Sequence, residues 1–201
     1  MDQLATSLLS AIHKPERTGT FAATPEVILG PFYPADRIAS TSSDLTNLRG
    51  KTARGQHVQL AGRLLNKALR PVSSARIEIW QANCAGRYRH PGDQSRGQLD
   101  PAFDGFATQT TGAEGTYKFR TVMPGYYHTP LGDIRAPHIH FQVTAGSFRL
   151  VTQMFFPREP LNERDRFLLA SQRRDMLVAL YAQDSVTLSI LSFSWDITLN
   201  F

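Results

Sequence analysis

Cysteine is almost missing from this chain: Cys84 is the single one among 201 residues. An internal disulfide is therefore impossible, and so is a zinc or iron–sulfur site built on several thiolates of one chain. A chain of this length needs no such staples, because one domain of this size buries enough apolar surface to hold itself folded. A reducing, cytoplasmic setting is the expected one. No stretch approaches the roughly 18 consecutive apolar residues of a spanning helix, so no membrane association is expected. Near the start, Asp2, a short Leu8–Leu9 pair and the charged Lys14–Arg17 segment do not make the pattern of a secretion signal. Internal repeats and low-complexity tracts are absent as well. The charge excess is small, +5 from 22 Lys and Arg against 17 Asp and Glu. The cations are scattered, no nucleic-acid motif accompanies them, and nucleic acid is not an expected partner.

What is present is the composition of a folded protein, 41% hydrophobic and 19% charged. Residues 2–13 predict a short helix with Leu4, Leu8 and Ile12 on one stripe. A lead into the turn Gly30-Pro31-Phe32-Tyr33-Pro34 follows. From residue 57 short runs rich in Val, Ile, Thr, Tyr and Phe predict strands at His57–Leu65, Ala75–Ala82, Thr116–Val122, His138–Val143 and Leu150–Phe156. Turn clusters such as Pro91-Gly92-Asp93, Gly112-Ala113-Glu114-Gly115 and Pro124-Gly125 separate them. One or two short helices are expected within 158–182, with Asn162 as a cap. Over Ser185–Phe201, Val186, Leu188 and Ile190, then Phe193, Trp195, Ile197, Leu199 and Phe201, alternate with polar residues. That predicts a half-buried strand pair around a one-residue phase change. The fold class is thus mainly β, an antiparallel β-sandwich with short helices and an N-terminal arm. Residues 1–56 form the arm and entry segment, and 57–201 the core of a single domain.

The segment Arg135-Ala136-Pro137-His138-Ile139-His140 carries the clearest chemistry. Residues two apart in a strand share a face, so His138 and His140 can offer two imidazoles to one point while Ile139 packs behind. Taken alone, such a pair is equally a hydrogen-bonded surface feature. Three tyrosines in turn-bounded positions could complete a site: Tyr88 in Gly86-Arg87-Tyr88-Arg89-His90, and Tyr126 and Tyr127 in Pro124-Gly125-Tyr126-Tyr127. No carboxylate is spaced to complete a two-histidine, one-carboxylate triad. A phenol ionises near neutral pH only beside a strongly charged cation, so two phenolates with two imidazoles would suit iron(III).

Five segments, in order, resemble the intradiol ring-cleavage dioxygenases, and most nearly the iron-bearing subunit of protocatechuate 3,4-dioxygenase. They are Ile77-Glu78-Ile79-Trp80-Gln81-Ala82-Asn83, Gly86–His90, Thr116–Gly125, Arg135–Phe141 and Thr152-Gln153-Met154-Phe155-Phe156, spanning about residues 30 to 160. The resemblance implies that Tyr88, Tyr127, His138 and His140 bind Fe(III), with Tyr127 chosen over Tyr126 because the family motif reads Pro-Gly-x-Tyr. It implies Arg135 as the active-site arginine and Gln153 as a site-lining glutamine. Gly30–Tyr33 resembles the family's N-terminal stretch beside the pocket, which implies Tyr33 as a substrate-binding residue. The implied substrates are a small aromatic diol and O2, with cleavage between the hydroxyl-bearing carbons to a cis,cis-muconate-type diacid. Tyr127 would be the axial ligand that the substrate displaces, taking a substrate proton. The implied assembly is a homo-oligomer, or a hetero-oligomer with a related subunit.

Some positions depart from the family pattern. His128-Thr129 replaces the usual Pro-aromatic pair after the second tyrosine, and Phe106 and Ala107 replace a small residue and an arginine at a sheet edge. These leave the ring substituents undefined. Two rival readings stand beside the enzyme: an iron-free binding or partner subunit on the same scaffold, and a zinc or copper hydrolase using the His138–His140 pair.

Overall fold

The structure, a computed structural model, describes residues 22–34, 42–48, 50–182 and 190–201. The helix expected over residues 2–13 and the Val186 and Leu188 positions lie outside the described residues. Among the described residues, thirteen strands occur in chain order. Two short ones, β1 (Asn47–Leu48) and β2 (Lys51–Thr52), form a hairpin. The long strands are β3 (His57–Leu65), β4 (Arg76–Trp80), β5 (Phe106–Thr110), β6 (Thr116–Val122), β9 (His138–Ala145) and β10 (Phe148–Phe155). A hairpin of β7 (Tyr127–His128) and β8 (Ile134–Arg135) stands apart from the large sheets. The chain ends with β11 (Leu180–Tyr181), β12 (Ile190–Ser194) and β13 (Ile197–Thr198).

One sheet is antiparallel throughout, in the order β10-β9-β4-β5. The other is built around β3, which pairs antiparallel with β6 on one side and parallel with β12 and β13 on the other. The C-terminal segments thus run beside β3 rather than pairing with each other. The step between them falls at Asp196, whose carboxylate accepts the Arg63 N–H at 2.9 Å in place of a ladder partner. The expected alternation is seen in burial: Phe193, Trp195, Ile197 and Leu199 are all buried, whereas Phe201 is exposed.

The two sheets meet through one apolar cluster that takes Val58, Leu60 and Leu64 from β3, Ile77 and Ile79 from β4, Phe119 from β6, Ile139, Phe141 and Val143 from β9, and Met154 from β10. Strand period two then turns the intervening residues of β4, β9 and β10 onto the opposite face. That outer face is covered by residues 22–34, by the β7–β8 hairpin and by the short helices after β10. Residues 22–34 are tied down by Thr24 N–H to the Thr198 carbonyl at 2.8 Å and by Val27 N–H to the Val151 carbonyl at 3.0 Å.

The helical region holds a 3₁₀ turn at Pro160–Arg164, a four-residue helix α1 (Arg166–Leu169) and a 3₁₀ turn at Arg174–Met176. Asn162 is not its cap. Its side chain donates to the Phe156 carbonyl at 2.8 Å, and Asp165 caps α1 by accepting from the N–H groups of Phe167 and Leu168. Among the described residues no helix is long and apolar enough to cross a membrane.

Candidate active site

The floor of the site is the outer face of the antiparallel sheet. His140 lies opposite Trp80 on β4 and Gln153 on β10, and His138 lies opposite Phe155. Both imidazoles are 2% exposed, and their Nε2 atoms stand 3.2 Å apart. The Nδ1 atom of His138 is 2.6 Å from the Ala136 carbonyl, which can only accept, so Nδ1 carries the proton and Nε2 presents its lone pair. Burial, and then the nearby charge of Arg135, holds the His138 pKa well below the ordinary imidazole value. For His140 the causes are burial, then His138 and Arg135. Both rings are therefore neutral near pH 7. The indole of Trp80 stacks on His140, with centroids 4.8 Å apart and planes inclined by 11°, which fixes that ring from one side.

Gly30 closes the other approach. It sits at φ +77°, where a side chain is strained, and a Cβ there would meet His140 Cε1 at 3.0 Å. We expect Gly30→Ala to leave the fold intact but to weaken metal binding at His140 by about tenfold, in line with the cost of misorienting a ligand. A metal titration of the variant checks this; unchanged affinity would show that the ring has room to yield.

Tyr88 and Tyr127 wall the site above the histidines. Their rings meet edge to face at 5.5 Å; Tyr88 is 6.2 Å from His140, and Tyr127 is 5.8 Å from His138. Phe32 from the N-terminal segment packs against both rings. Tyr126 points outward and is 54% exposed. The Tyr88 hydroxyl is buried and makes no formed hydrogen bond, although the Tyr127 hydroxyl is its polar neighbour. Burial, and then Tyr127, raises the Tyr88 phenol well above its ordinary value. Burial also raises Tyr127, opposed by the Arg135 charge.

The backbone that carries these tyrosines is fixed by residues with no obvious signature. Asn83 is 2% exposed; its side-chain oxygen accepts from the N–H groups of Ala85 and Arg87, and its carbonyl accepts from Gly86 and Gly125. Asp93 accepts the Tyr88 N–H at 2.6 Å. Glycine is required where the two segments touch, since a Cβ on Gly86 would sit 2.2 Å from the Tyr126 carbonyl oxygen.

Arg135 pairs across the hairpin with Tyr127 and is 3% exposed. Its guanidinium donates to Asp165 at 2.9 Å, to the Gln153 side-chain oxygen at 2.6 Å and to the Tyr127 hydroxyl at 3.5 Å. Gln153 donates its own N–H to the Ile28 carbonyl at 2.9 Å, so its amide orientation is set from both ends. Tyr33 packs edge-on against Trp80 at 5.0 Å and reaches the Glu78 carboxylate with its hydroxyl at 3.3 Å. Phe106, opposite Trp80 on the edge strand, packs beneath the indole, whereas Ala107 faces the sandwich core, where a charge could not be accommodated. A cavity of about 620 Å³ opens beside Tyr127, with His128, Tyr126, Cys84 and Arg96 among its lining residues.

The seven residues singled out from the sequence fall on this one face. His138, His140, Tyr88, Tyr127, Arg135 and Gln153 form a contiguous group, and Tyr33 joins it through Trp80. Trp80, Asn83, Asp93 and Asp165 were not singled out for the site, and Gly30 was read only as the start of the stretch beside the pocket. Trp80 and Asn83 do stand inside one of the quoted segments. Among the described residues no three His, Cys, Asp or Glu side chains gather at one point, and the polar side chains next to the histidine pair are Tyr88, Tyr127, Arg135 and Gln153.

Comparison with known proteins gives the family. A family model described as Dioxygenase matches residues 28–201. The chain is 37% identical over 180 residues to the protocatechuate 3,4-dioxygenase beta chain of Burkholderia cepacia, covering 84% of this chain and 76% of that one. It is 33% identical over 172 residues to hydroxyquinol 1,2-dioxygenase of Rhizobium sp. (strain MTP-10005), covering 79% of this chain but only 55% of that protein. Among solved structures, the dioxygenase domain of a dioxygenase carbohydrate-binding fusion from Streptomyces sp. SirexAA-E superposes with a TM-score of 0.68 at 26% identity, covering 89% of this chain and 99% of that domain. A family match over most of the chain and a relative above one-third identity lead to one conclusion: the chain belongs to the intradiol ring-cleaving dioxygenases, oxidoreductases that incorporate dioxygen.

Proposed function

We propose that this protein binds ferric iron through Tyr88, Tyr127, His138 and His140 and opens a catechol-type ring between its two hydroxyl-bearing carbons. The observation that carries the reading is the pair of Nε2 atoms 3.2 Å apart, both on neutral rings, beneath two buried phenols. Two imidazole nitrogens that share a cation at about 2.1 Å stand about 3.0–3.4 Å apart, so this spacing fits a common metal. The Tyr88 hydroxyl supports it from the other side: it is buried, makes no well-formed hydrogen bond and has the Tyr127 hydroxyl as its neighbour, and two such phenols are satisfied together by ionising onto a cation. Two hard phenolates beside two borderline imidazoles suit iron(III) rather than a soft metal. When bound, the ferric ion supplies Lewis acidity that ionises the diol and makes its ring electron-rich towards dioxygen.

The chain's own groups do the remaining work. Tyr88 and the two histidines are fixed on three sides and serve as permanent ligands. Tyr127 is the less buried tyrosine and faces Arg135, so its phenolate oxygen would be the group placed to accept a diol proton. Arg135, always charged, stabilises the negative charge that gathers on the substrate oxygens. Gln153 holds the guanidinium at its angle, and Trp80 and Phe32 exclude water from the ring-binding space. The relatives are named for protocatechuate and for hydroxyquinol. The class committed to is therefore a catechol-type diol, and His128 and Arg96 at the cavity beside Tyr127 are placed to meet its substituents. The beta-chain name of one relative supports assembly with a related subunit.

The test is colour and oxygen uptake. The iron-loaded protein should absorb in the visible through tyrosinate-to-iron charge transfer and consume oxygen with protocatechuate, catechol, hydroxyquinol or a pyrogallol. Tyr127→Phe should keep iron but lose at least about 100-fold in kcat, the scale of a lost acid–base group. Full activity in Tyr127→Phe would reject it as that proton acceptor. A colourless protein that binds zinc, one that binds copper in place of iron, or one that takes up no iron would reject the reading in favour of a hydrolase or a partner subunit.

A further inference from the structure

We infer that Asp165 is a positioning residue of this site, acting on Arg135 directly and on His138 through the Ala136 peptide; the inference rests on the role given to Arg135 above. Asp165 is completely buried, and its two carboxylate oxygens accept four hydrogen bonds. One oxygen takes the Arg135 Nε–H at 2.9 Å and the Ala136 N–H at 3.0 Å. The other takes the N–H groups of Phe167 and Leu168 at 3.0 and 3.2 Å, at the start of α1. This one carboxylate therefore joins the helix after β10 to two neighbouring groups about thirty residues earlier: the guanidinium of Arg135, and the backbone N–H of Ala136, the residue whose carbonyl sets the His138 tautomer.

The geometry around the guanidinium shows why this acts on position and not only on stability. Asp165 holds Nε, Gln153 holds one terminal nitrogen, and Phe167 of the same helix lies against the guanidinium at 4.4 Å. Three restraints leave the other terminal nitrogen facing the Tyr127 hydroxyl. Releasing Nε frees the plane to rotate about its last side-chain bond, and the nitrogen facing Tyr127 is the one displaced. Ala136 is fully buried, and its N–H has Asp165 as acceptor, so the same change also loosens the residue whose carbonyl, one peptide further on, orients His138.

Asp165→Asn tests this. The amide oxygen can still cap α1, but the charge that holds Arg135 is gone. We expect a folded protein whose iron charge-transfer band persists, with kcat lowered about 10–100-fold and KM changed by less than about threefold. Arg135→Gln combined with Asp165→Asn should be no slower than Arg135→Gln alone within about twofold, because the second change acts through the first. Independently of turnover, the Arg135 Nε–H, slow to exchange in NMR spectra of the metal-free wild type, should exchange at least about tenfold faster in the variant. If Asp165→Asn does not fold, Asp165→Ser keeps a helix cap without reaching the guanidinium and serves in the same comparisons. Wild-type kcat in the folded variant, losses that multiply in the double variant, or unchanged exchange would overturn the proposal. Absence of oxygen uptake by the wild type would instead overturn the enzymatic reading, and the exchange measurement would still decide the positioning role.

Discussion

His138→Ala should yield a folded protein that no longer holds iron. The imidazole supplies one of two nitrogens that converge 3.2 Å apart, and its lone pair is directed there by the bond from Nδ1 to the Ala136 carbonyl. Loss of an outer hydrogen bond to a ligand costs about 10–100-fold in affinity, so loss of the ligand itself should exceed about 100-fold. The fold should survive because the side chain lies on the outer face of the sheet, away from the sandwich core, and makes one backbone hydrogen bond. A cost of about 1–3 kcal/mol is expected for the void and the unpaired carbonyl. Visible absorption after anaerobic reconstitution, together with iron content per chain, gives the answer. Retention of a stoichiometric coloured iron would place the metal elsewhere.

Gly86→Ala should be the most destabilising of the single-methyl changes around the site. Gly86 has φ +72°, which costs an L-residue about 1–2 kcal/mol, and the added carbon would lie 2.2 Å from the Tyr126 carbonyl oxygen. Overpacking against backbone adds about 1–3 kcal/mol, since a carbonyl cannot step aside as a flexible side chain can. The sum, about 2–5 kcal/mol, is a large part of a domain's stability. The damage should not stop at stability. Gly86 and Gly125 hang from the same Asn83 carbonyl, so forcing them apart separates Tyr88 from Tyr127. Chemical denaturation reports the first effect, and the position of the charge-transfer band in any folded fraction reports the second. A variant with wild-type stability and colour would show that the two tyrosine segments are less tightly joined than described.

What could be read from the chain alone follows a physical division. The histidine pair was legible because strand period two makes an H-x-H segment a statement about one face. The tyrosines were legible because each follows a glycine at a turn within a familiar run of residues. The core strands announced themselves through β-branched and aromatic texture, and their ends differed by one or two residues where flanking residues continue the pairing, as Phe148 does with Ala145. The edge strand Phe106–Thr110 escaped notice because its short sequence mixes small and polar residues. Asp165 escaped for a different reason: 30 residues and a 3₁₀ turn separate it from Arg135, and Asn162 offered an equally plausible cap. Contacts of that kind come from how loops fold back on a sheet, which no local periodicity encodes. Gly30 is the extreme case, more than a hundred residues from the ring it touches.

The mutual hydrogen bonding of Thr24 and Thr198, backbone to backbone at 2.8 Å and backbone to hydroxyl at 2.9 Å, has a reach beyond its location. It fastens the leading segment to the trailing one, and six residues further along that leading segment Gly30 presses on His140. Removing residues 198–201 would thus cut one tie of the segment over the imidazole and leave those of Val27 and Ile28 to hold it, a remote edit that alters no group at the chemistry itself.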